Sequence, residues 1–166
     1  MLYRIVDEAT NEILDEVSEP PIYLPPGTIL VQDSLDIAKF AIEEVNNMAK
    51  SEIVSGYIHD GVRYTLSETD QLNYIGMLSL IESSDFDIQF TGEIPGNKYH
   101  PITMSSDDAK VLISSMFSYI SDVLSLYRAI KGRIASSGSD SDVSEIVSMA
   151  REEHESRMSQ YEAYAN

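Results

Sequence analysis

The sequence predicts an α+β fold dominated by helices, with long heptad-patterned helices and short β-hairpins. Three observations support this class. Apolar residues recur at alternating steps of three and four through residues 106–134, which is the period of one helix face. Asp60-Gly61 lies between two short apolar runs, as in a two-residue hairpin. Four prolines within residues 20–26 exclude a helix or a central strand there. The heptad pattern also favours a coiled coil or a helical-bundle oligomer.

Residues 1–32 are predicted to form an N-terminal hairpin followed by a proline-rich docking segment. Leu2–Asp7 and Glu12–Val17 alternate loosely between apolar and charged side chains around a turn at Asn11. A brief strand at Thr28–Gln32 follows the prolines.

The central domain, residues 33–135, begins with a helix that Asp33 caps and that runs from Ser34 to about Lys50. Its apolar positions form a seam one helix wide, made of Leu35, Ala38, Ile42, Val45 and Ala49. We expect this seam to pack against another helix.

A hairpin is the clearest local signal in the chain. We predict strands at Ile53–His59 and Val62–Leu66. Asp60 and Gly61 form the turn, because an Asp-Gly pair readily adopts the positive φ angles that such a turn demands.

A second helix follows Ser67, with Asp70 three residues on as in a capping box. Its apolar residues are Leu72, Ile75, Met77, Leu78, Leu80 and Ile81. Gly76 within it costs about 1 kcal/mol relative to alanine. We therefore expect another backbone to come close to the helix at Gly76.

Two further strands are predicted at Phe86–Thr91 and Lys98–Met104. Pro101 cannot donate to a ladder and restricts the second strand to the edge of a sheet. Ser105 then caps the next helix.

The helix at about Ser106–Ile134 carries the strongest periodicity in the sequence. Its heptad seam begins at Ala109 and continues for more than three repeats. We predict that a partner chain covers the rest of this seam, which consists of Ile113, Met116, Ile120, Val123, Tyr127, Ile130 and Ile134.

Residues 136–142 are rich in Ser, Gly and Asp and are predicted to be a linker, and a C-terminal helix occupies residues 143–166. The apolar stripe of this helix is thin, so we expect the helix to be marginal alone. Tyr161 and Tyr164 are accordingly predicted at an interface, because their burial needs a partner.

Composition narrows the classes of function. The chain has 166 residues, enough for one sizeable domain, and a formal net charge of −17, which disfavours nucleic acid as a partner. It has no cysteine, so disulfides and cysteine metal sites are excluded. The N-terminus does not resemble a signal peptide and no apolar run approaches about 20 residues, so we expect a protein that is soluble when made, without membrane contact.

The residue types that catalyse reactions or bind metals do not have the sequence spacing that such sites require. His59, His100 and His154 are isolated in sequence, and adjacent acids such as Glu152 and Glu153 point apart on a helix. The chain has neither a nucleophile-elbow motif nor a phosphate-binding loop. We therefore predict a non-enzymatic protein with no catalytic residue, no cofactor and no metal.

Four segments in order carry a resemblance to a known family. Ser55–Tyr64, Ser67–Gly76, Ile102–Asp108 and Tyr127–Ile134 resemble a domain-of-unknown-function family carried by bacteriophage tail-fibre and tail-associated proteins. The resemblance covers about residues 52–135, half of the chain. It implies a virion tail protein that is made in the host cytoplasm, and it transfers no catalytic residue.

The resemblance implies a structural component of a tail fibre, baseplate or fibre-attachment adaptor, with other tail or fibre proteins as partners. On this hypothesis residues 1–32 dock on a larger tail protein, and the helices form a homo-oligomer, with a trimer favoured by analogy with tail fibres. A tail-fibre assembly chaperone is the first alternative. An acidic DNA-mimic inhibitor is the second, although the acidic residues are spread along the chain.

Overall fold

A computed structural model describes residues 3–10, 12–17, 21, 23–31, 34–83 and 87–164. Four helices are assigned: α1 Ser34–Ser55, α2 Glu68–Ser83, α3 Ser106–Ala135 and α4 Asp140–Met158, followed by a 3-10 helix at Ser159–Tyr164. Seven strands are assigned: β1 Tyr3–Asp7, β2 Ile13–Val17, β3 Thr28–Val31, β4 Tyr57–His59, β5 Val62–Tyr64, β6 Ile88–Ile94 and β7 Asn97–Met104. The predicted helix-dominated α+β class is confirmed, whereas the coiled-coil or bundle oligomer stays a prediction.

The chain divides into two compact units. Unit 1 contains residues 1–47 and 127–152, and unit 2 contains residues 48–126 and 153–166. The helices α1, α3 and α4 each contribute residues to both units. The division into segments 1–32, 33–135, 136–142 and 143–166 stays a prediction.

Unit 1 contains a three-stranded antiparallel sheet in the order β2-β1-β3. The Asp7 carboxylate closes the turn after β1, since its Oδ1 accepts hydrogen bonds from the backbone N–H groups of Ala9 (2.9 Å) and Thr10 (2.8 Å). These two bonds lower the pKa of Asp7. The predicted strands are present. The predictions for Asn11, Pro20, Gln32 and Asp33 concern residues outside the described ranges.

Unit 2 contains a four-stranded antiparallel sheet in the order β4-β5-β6-β7. The β4–β5 hairpin turns at Asp60 (φ 50°) and Gly61 (φ 74°), as the sequence predicts. Pro101 lies in β7, an edge strand, where it removes no ladder bond from the sheet interior. Of the predicted third strand, Phe86 lies outside the described residues.

The boundary between α1 and β4 differs from the prediction. Residues 53–55, predicted as strand, are the last residues of α1. Gly56 then adopts a φ of 102° and its N–H donates to the carbonyl of Ile53 at 3.0 Å. A glycine with positive φ ends a helix without steric cost, and this signal outweighs the β-propensity of Ile53 and Val54.

Two helices have the serine N-caps that the sequence predicts. A third serine cap makes the linker shorter than predicted. The Ser67 and Ser105 hydroxyls accept the N–H of the residue three positions on, each at 3.2 Å. Ser139 accepts the N–H of Asp142 in the same way, at 3.2 Å. The helix α4 therefore begins at Asp140, inside the predicted linker, with acids in its first turn that favour the helix dipole.

The core of unit 2 lies between its sheet and the helices α2 and α3. Tyr74 of α2 and Tyr64 of β5 each contact the ring of Phe90, with ring centroids 6.0 Å and 6.2 Å apart. Ile113 and Met116 of α3 belong to the same buried cluster.

The helix α3 also has the length and apolar composition to cross a membrane, the one such helix among the residues that the structure describes. Core helices of soluble proteins pass the same test. In the apolar stretch of α3 that passes it, 28% of the residues are buried, and Ile113, Met116 and Val123 of α3 have no exposed area.

A pair of glycine substitutions tests the boundary between α1 and β4. A Cβ at residue 56 would lie 2.5 Å from the Tyr64 carbonyl oxygen, whereas a Cβ at Gly76 has no neighbour within 4 Å. We expect Gly56→Ala to lower the free energy of unfolding by about 2 kcal/mol or more. Gly76→Ala is the matched control and should raise it by about 0.5–1 kcal/mol. Urea unfolding measures both, and equal stability of the Gly56→Ala and wild-type proteins would contradict the assigned turn.

Candidate functional site

The seam of α3 that the sequence assigns to an oligomer interface faces the interior of the protein. Six of its seven residues are buried, and Ile120 is half-buried: Ile113, Met116, Val123, Tyr127, Ile130 and Ile134 are the buried ones. A side chain that its own chain covers offers no surface to a second chain. Helical periodicity marks a buried face and does not specify whether the same chain or another covers it. The structure therefore assigns these residues to the core.

Tyr161 and Tyr164 are also buried within the chain, so the expectation that their burial needs a partner is wrong. The Tyr161 hydroxyl donates to the carbonyl of Gly56 at 2.7 Å. The Tyr164 hydroxyl donates to the carbonyl of Gly61 at 3.0 Å. The C-terminal 3-10 helix thus packs on the β4–β5 hairpin of its own unit.

The hairpin turn provides the acceptor for this contact. Asp60 and Gly61, predicted from sequence as the turn, place the Gly61 carbonyl beside Tyr164. The Arg63 guanidinium lies over the Tyr164 ring, 5.9 Å from its centroid, and pairs with Glu93 at 2.5 Å. A cation over an aromatic face adds a modest attraction to the two hydrogen bonds.

The side chain of Glu52 is a carboxylate with no exposed area. Arg157 donates to Glu52 Oε1 through Nε at 2.7 Å and through Nη2 at 2.5 Å. The Tyr119 hydroxyl is 3.4 Å from the same oxygen and 2.9 Å from the hydroxyl of Tyr161. We call these four residues the Glu52 network. A buried charge is tolerated only when it is paired and hydrogen-bonded in this way.

Sequence reasoning missed the Glu52 network, although one signal was present. The α1 seam continues from Val45 and Ala49 by a further step of three to Glu52, so an acid occupies an apolar position. An acid on a buried stripe requires a cationic partner. Arg157 lies 105 residues away along the chain, and no feature of the sequence indicated that it pairs with Glu52.

The two tyrosine hydroxyls of the Glu52 network lie away from solvent. Burial is the main cause that raises the pKa values of Tyr119 and Tyr161, which keeps both hydroxyls protonated as hydrogen-bond donors. Among the described residues, no buried side-chain nitrogen or oxygen lacks a hydrogen-bond partner.

The outward face of α2 carries large apolar side chains that are half or more exposed. Leu72 is 69% exposed, Ile75 50% and Leu80 58%. Between them lies Gly76. Apart from its chain neighbours and the backbone of its own helix, no atom lies within 4 Å of the position that a Cβ there would take. The predicted close approach of another backbone at Gly76 is therefore not made by any part of the chain that the structure describes. We call Leu72, Ile75, Gly76 and Leu80 the α2 face.

Open clefts of moderate size are present in both units. The cleft of unit 1 has a volume of about 380 Å³ and apolar walls that include Val6 and Phe40. At its rim Glu44 pairs with Arg151 at 2.5 Å, so these charges satisfy each other. The cleft of unit 2 measures about 300 Å³ and is lined by mixed side chains, among them the exposed Tyr99.

The described residues do not bring together a metal-binding group of three or more His, Cys, Asp or Glu side chains. His59 is within 3.6 Å of Asp60 on the exposed turn. Comparisons with protein-family models, with curated proteins and with solved structures find no match to the chain.

Removing the arginine of the Glu52 network tests whether the buried charge depends on it. Arg157→Ala leaves the Glu52 carboxylate without its guanidinium and should cost about 3 kcal/mol of unfolding free energy. Combined with Glu52→Gln, the same change should cost markedly less, because no buried charge is then left unpaired. The control Arg128→Ala, at an exposed position of α3, should stay within about 0.5 kcal/mol of wild type. Chemical denaturation gives all four values, and equal losses for Arg157→Ala and Arg128→Ala would refute the pairing.

Alkaline titration tests the two buried hydroxyls. The pKa values of Tyr119 and Tyr161 are raised in the folded protein, whereas unfolded tyrosines ionise near pH 10. Their contribution to stability is therefore complete below about pH 10 and falls as the pH rises above it, because the unfolded chain releases protons that the folded protein retains. We expect the urea midpoint to fall between pH 9 and 11, and to fall less steeply in Tyr119→Phe. Identical slopes would show that Tyr119 is not buried as described.

Proposed function

We propose that this chain is a non-enzymatic structural component of a bacteriophage tail, which acts as a connector through protein–protein contacts. The observation that carries the contact role is the α2 face. Three large apolar side chains lie together on one helix and are half to two-thirds exposed. Single exposed apolar residues are common, whereas several on one face of an element are typical of an interaction site.

The closed core of unit 2 supports this role. Tyr161 and Tyr164 cover the hairpin from within the chain, and Arg157 neutralises Glu52. The α2 face is therefore not needed to complete the core, and a folded unit presents it ready-made. A rigid presented face binds without a large ordering cost.

The resemblance of residues 52–135 to tail-fibre and tail-associated proteins supports the phage setting. This stretch includes all of α2. The homo-oligomer predicted from the α3 seam loses that argument, because most of the seam is buried in the single chain. The trimer was favoured only by analogy with tail fibres. The proposal accordingly gives priority to contact with a different tail, baseplate or fibre protein.

Quantitative mass spectrometry of purified phage particles tests the proposal. We expect this chain in every particle, at a constant ratio to the fibre or baseplate protein, because a connector stays where it joins two parts. If mature particles lack the protein but fibres fail to attach when it is missing during assembly, the assembly chaperone is favoured and the connector is contradicted. If mature particles lack the protein and assembly proceeds normally without it, both functions are contradicted.

A further inference from the structure

We infer that the α2 face binds an amphipathic helix of a different protein, one whose apolar ridge is flanked by Lys or Arg at both ends. This inference rests on the proposed contact role and adds the chemistry of the partner. It follows from the shape of the face, from its charges and from its extent.

The shape of the α2 face is a ridge with a gap. Leu72, Gly76 and Leu80 are spaced by four residues and form one row along the helix, with Ile75 in the adjacent row. The row spans about 12 Å. Gly76 leaves open space between two leucines, and this is the hole into which a side chain of a second helix packs. The cost of a glycine within a helix is explained if a partner uses this gap.

The charges around the α2 face select the kind of partner. Glu68 and Glu82 are exposed beyond its two ends, and α2 contains no Lys or Arg. They are separated by about 21 Å along the helix axis. A partner helix of about four turns with basic residues near both ends would therefore match the face in length and in charge.

These same charges disfavour a second copy of this chain. Parallel pairing of two α2 helices would bring Glu68 against Glu68, and antiparallel pairing would bring Glu68 against Glu82. The net charge of −17 on each copy adds to this repulsion. An anionic membrane surface is disfavoured for the same reason.

The extent of the α2 face suits one docked helix. A stable dimer of standard size buries about 800 Å² and 20–30 residues on each partner. Three large apolar side chains supply much less than this. A single helix laid along a short apolar row is the recognition mode that needs so few anchors.

Binding of designed peptides to the full-length protein tests the inference. The probe is an 18-residue helical peptide with a Leu and Ala face and a Lys near each end, about 14 positions apart; the control peptide carries Glu instead of Lys. Titration calorimetry at low salt should give binding of the Lys peptide at least about tenfold tighter than binding of the Glu peptide. The inference would be overturned if the two peptides bind with equal affinity, or if neither peptide binds.

Variants of the α2 face locate the binding and reverse its charge preference. We expect binding of the Lys peptide to weaken about tenfold or more in the double variant Leu72→Ser with Leu80→Ser. The same loss of affinity is expected in the single variant Gly76→Leu. Leu124→Ser, at an apolar position of α3 that is 45% exposed, is the matched control and should leave binding unchanged. Glu68→Lys with Glu82→Lys should invert the preference toward the Glu peptide. Urea midpoints close to that of the wild-type protein would show that each variant is folded. If the wild-type protein binds anionic vesicles more tightly than the Lys peptide, this result would count against a helical partner.

Sedimentation separates this inference from the proposed function. The free protein should be monomeric at neutral pH. A wild-type dimer that Leu72→Ser with Leu80→Ser dissociates would mean that a second copy occupies the α2 face, contrary to the inference. Stable incorporation into particles without any binding of the Lys peptide would overturn the partner chemistry and leave the connector role intact.

Discussion

The constraint on which unit 2 depends is the pairing of the buried Glu52 carboxylate with Arg157. A carboxylate without access to water is stable only with a cation and further donors beside it. Arg157 supplies the cation from α4, and Tyr119 of α3 adds its hydroxyl. Since Arg157 must stay with Glu52, the residues that follow it are held near the β4–β5 hairpin, where Tyr161 and Tyr164 bind backbone carbonyls. The C-terminal segment thereby becomes part of the core.

Local signals in the sequence were sufficient for most elements of the fold. The Asp60-Gly61 turn, the caps at Ser67 and Ser105 and the edge position of Pro101 were all predicted, since each depends on the chemistry of a few neighbouring residues. Errors occurred where two local preferences competed. At residues 53–55 the helix-ending glycine outweighed β-branched side chains, and at residues 139–142 a cap and first-turn acids outweighed a linker-like composition.

Long-range relations were beyond the sequence. The heptad period of α3 identified a buried face correctly but not the chain that covers it, because periodicity is the same for a core and for an interface. The α2 face was missed for a related reason. Apolar residues occur on all sides of α2, so the pattern did not distinguish Tyr74 and Ile81, which are buried, from Leu72 and Leu80, which are exposed.

The C-terminal segment covers the hairpin of its own chain. Amide hydrogen exchange of residues 153–164, measured over a wide range of protein concentrations together with the sedimentation mass, shows whether a single molecule makes this contact. We expect equally slow exchange at every concentration in a species of 18.5 kDa, because the protection arises within one molecule. Exchange that accelerates on dilution, as a larger species dissociates, would contradict it, since a neighbouring chain would then supply the contact.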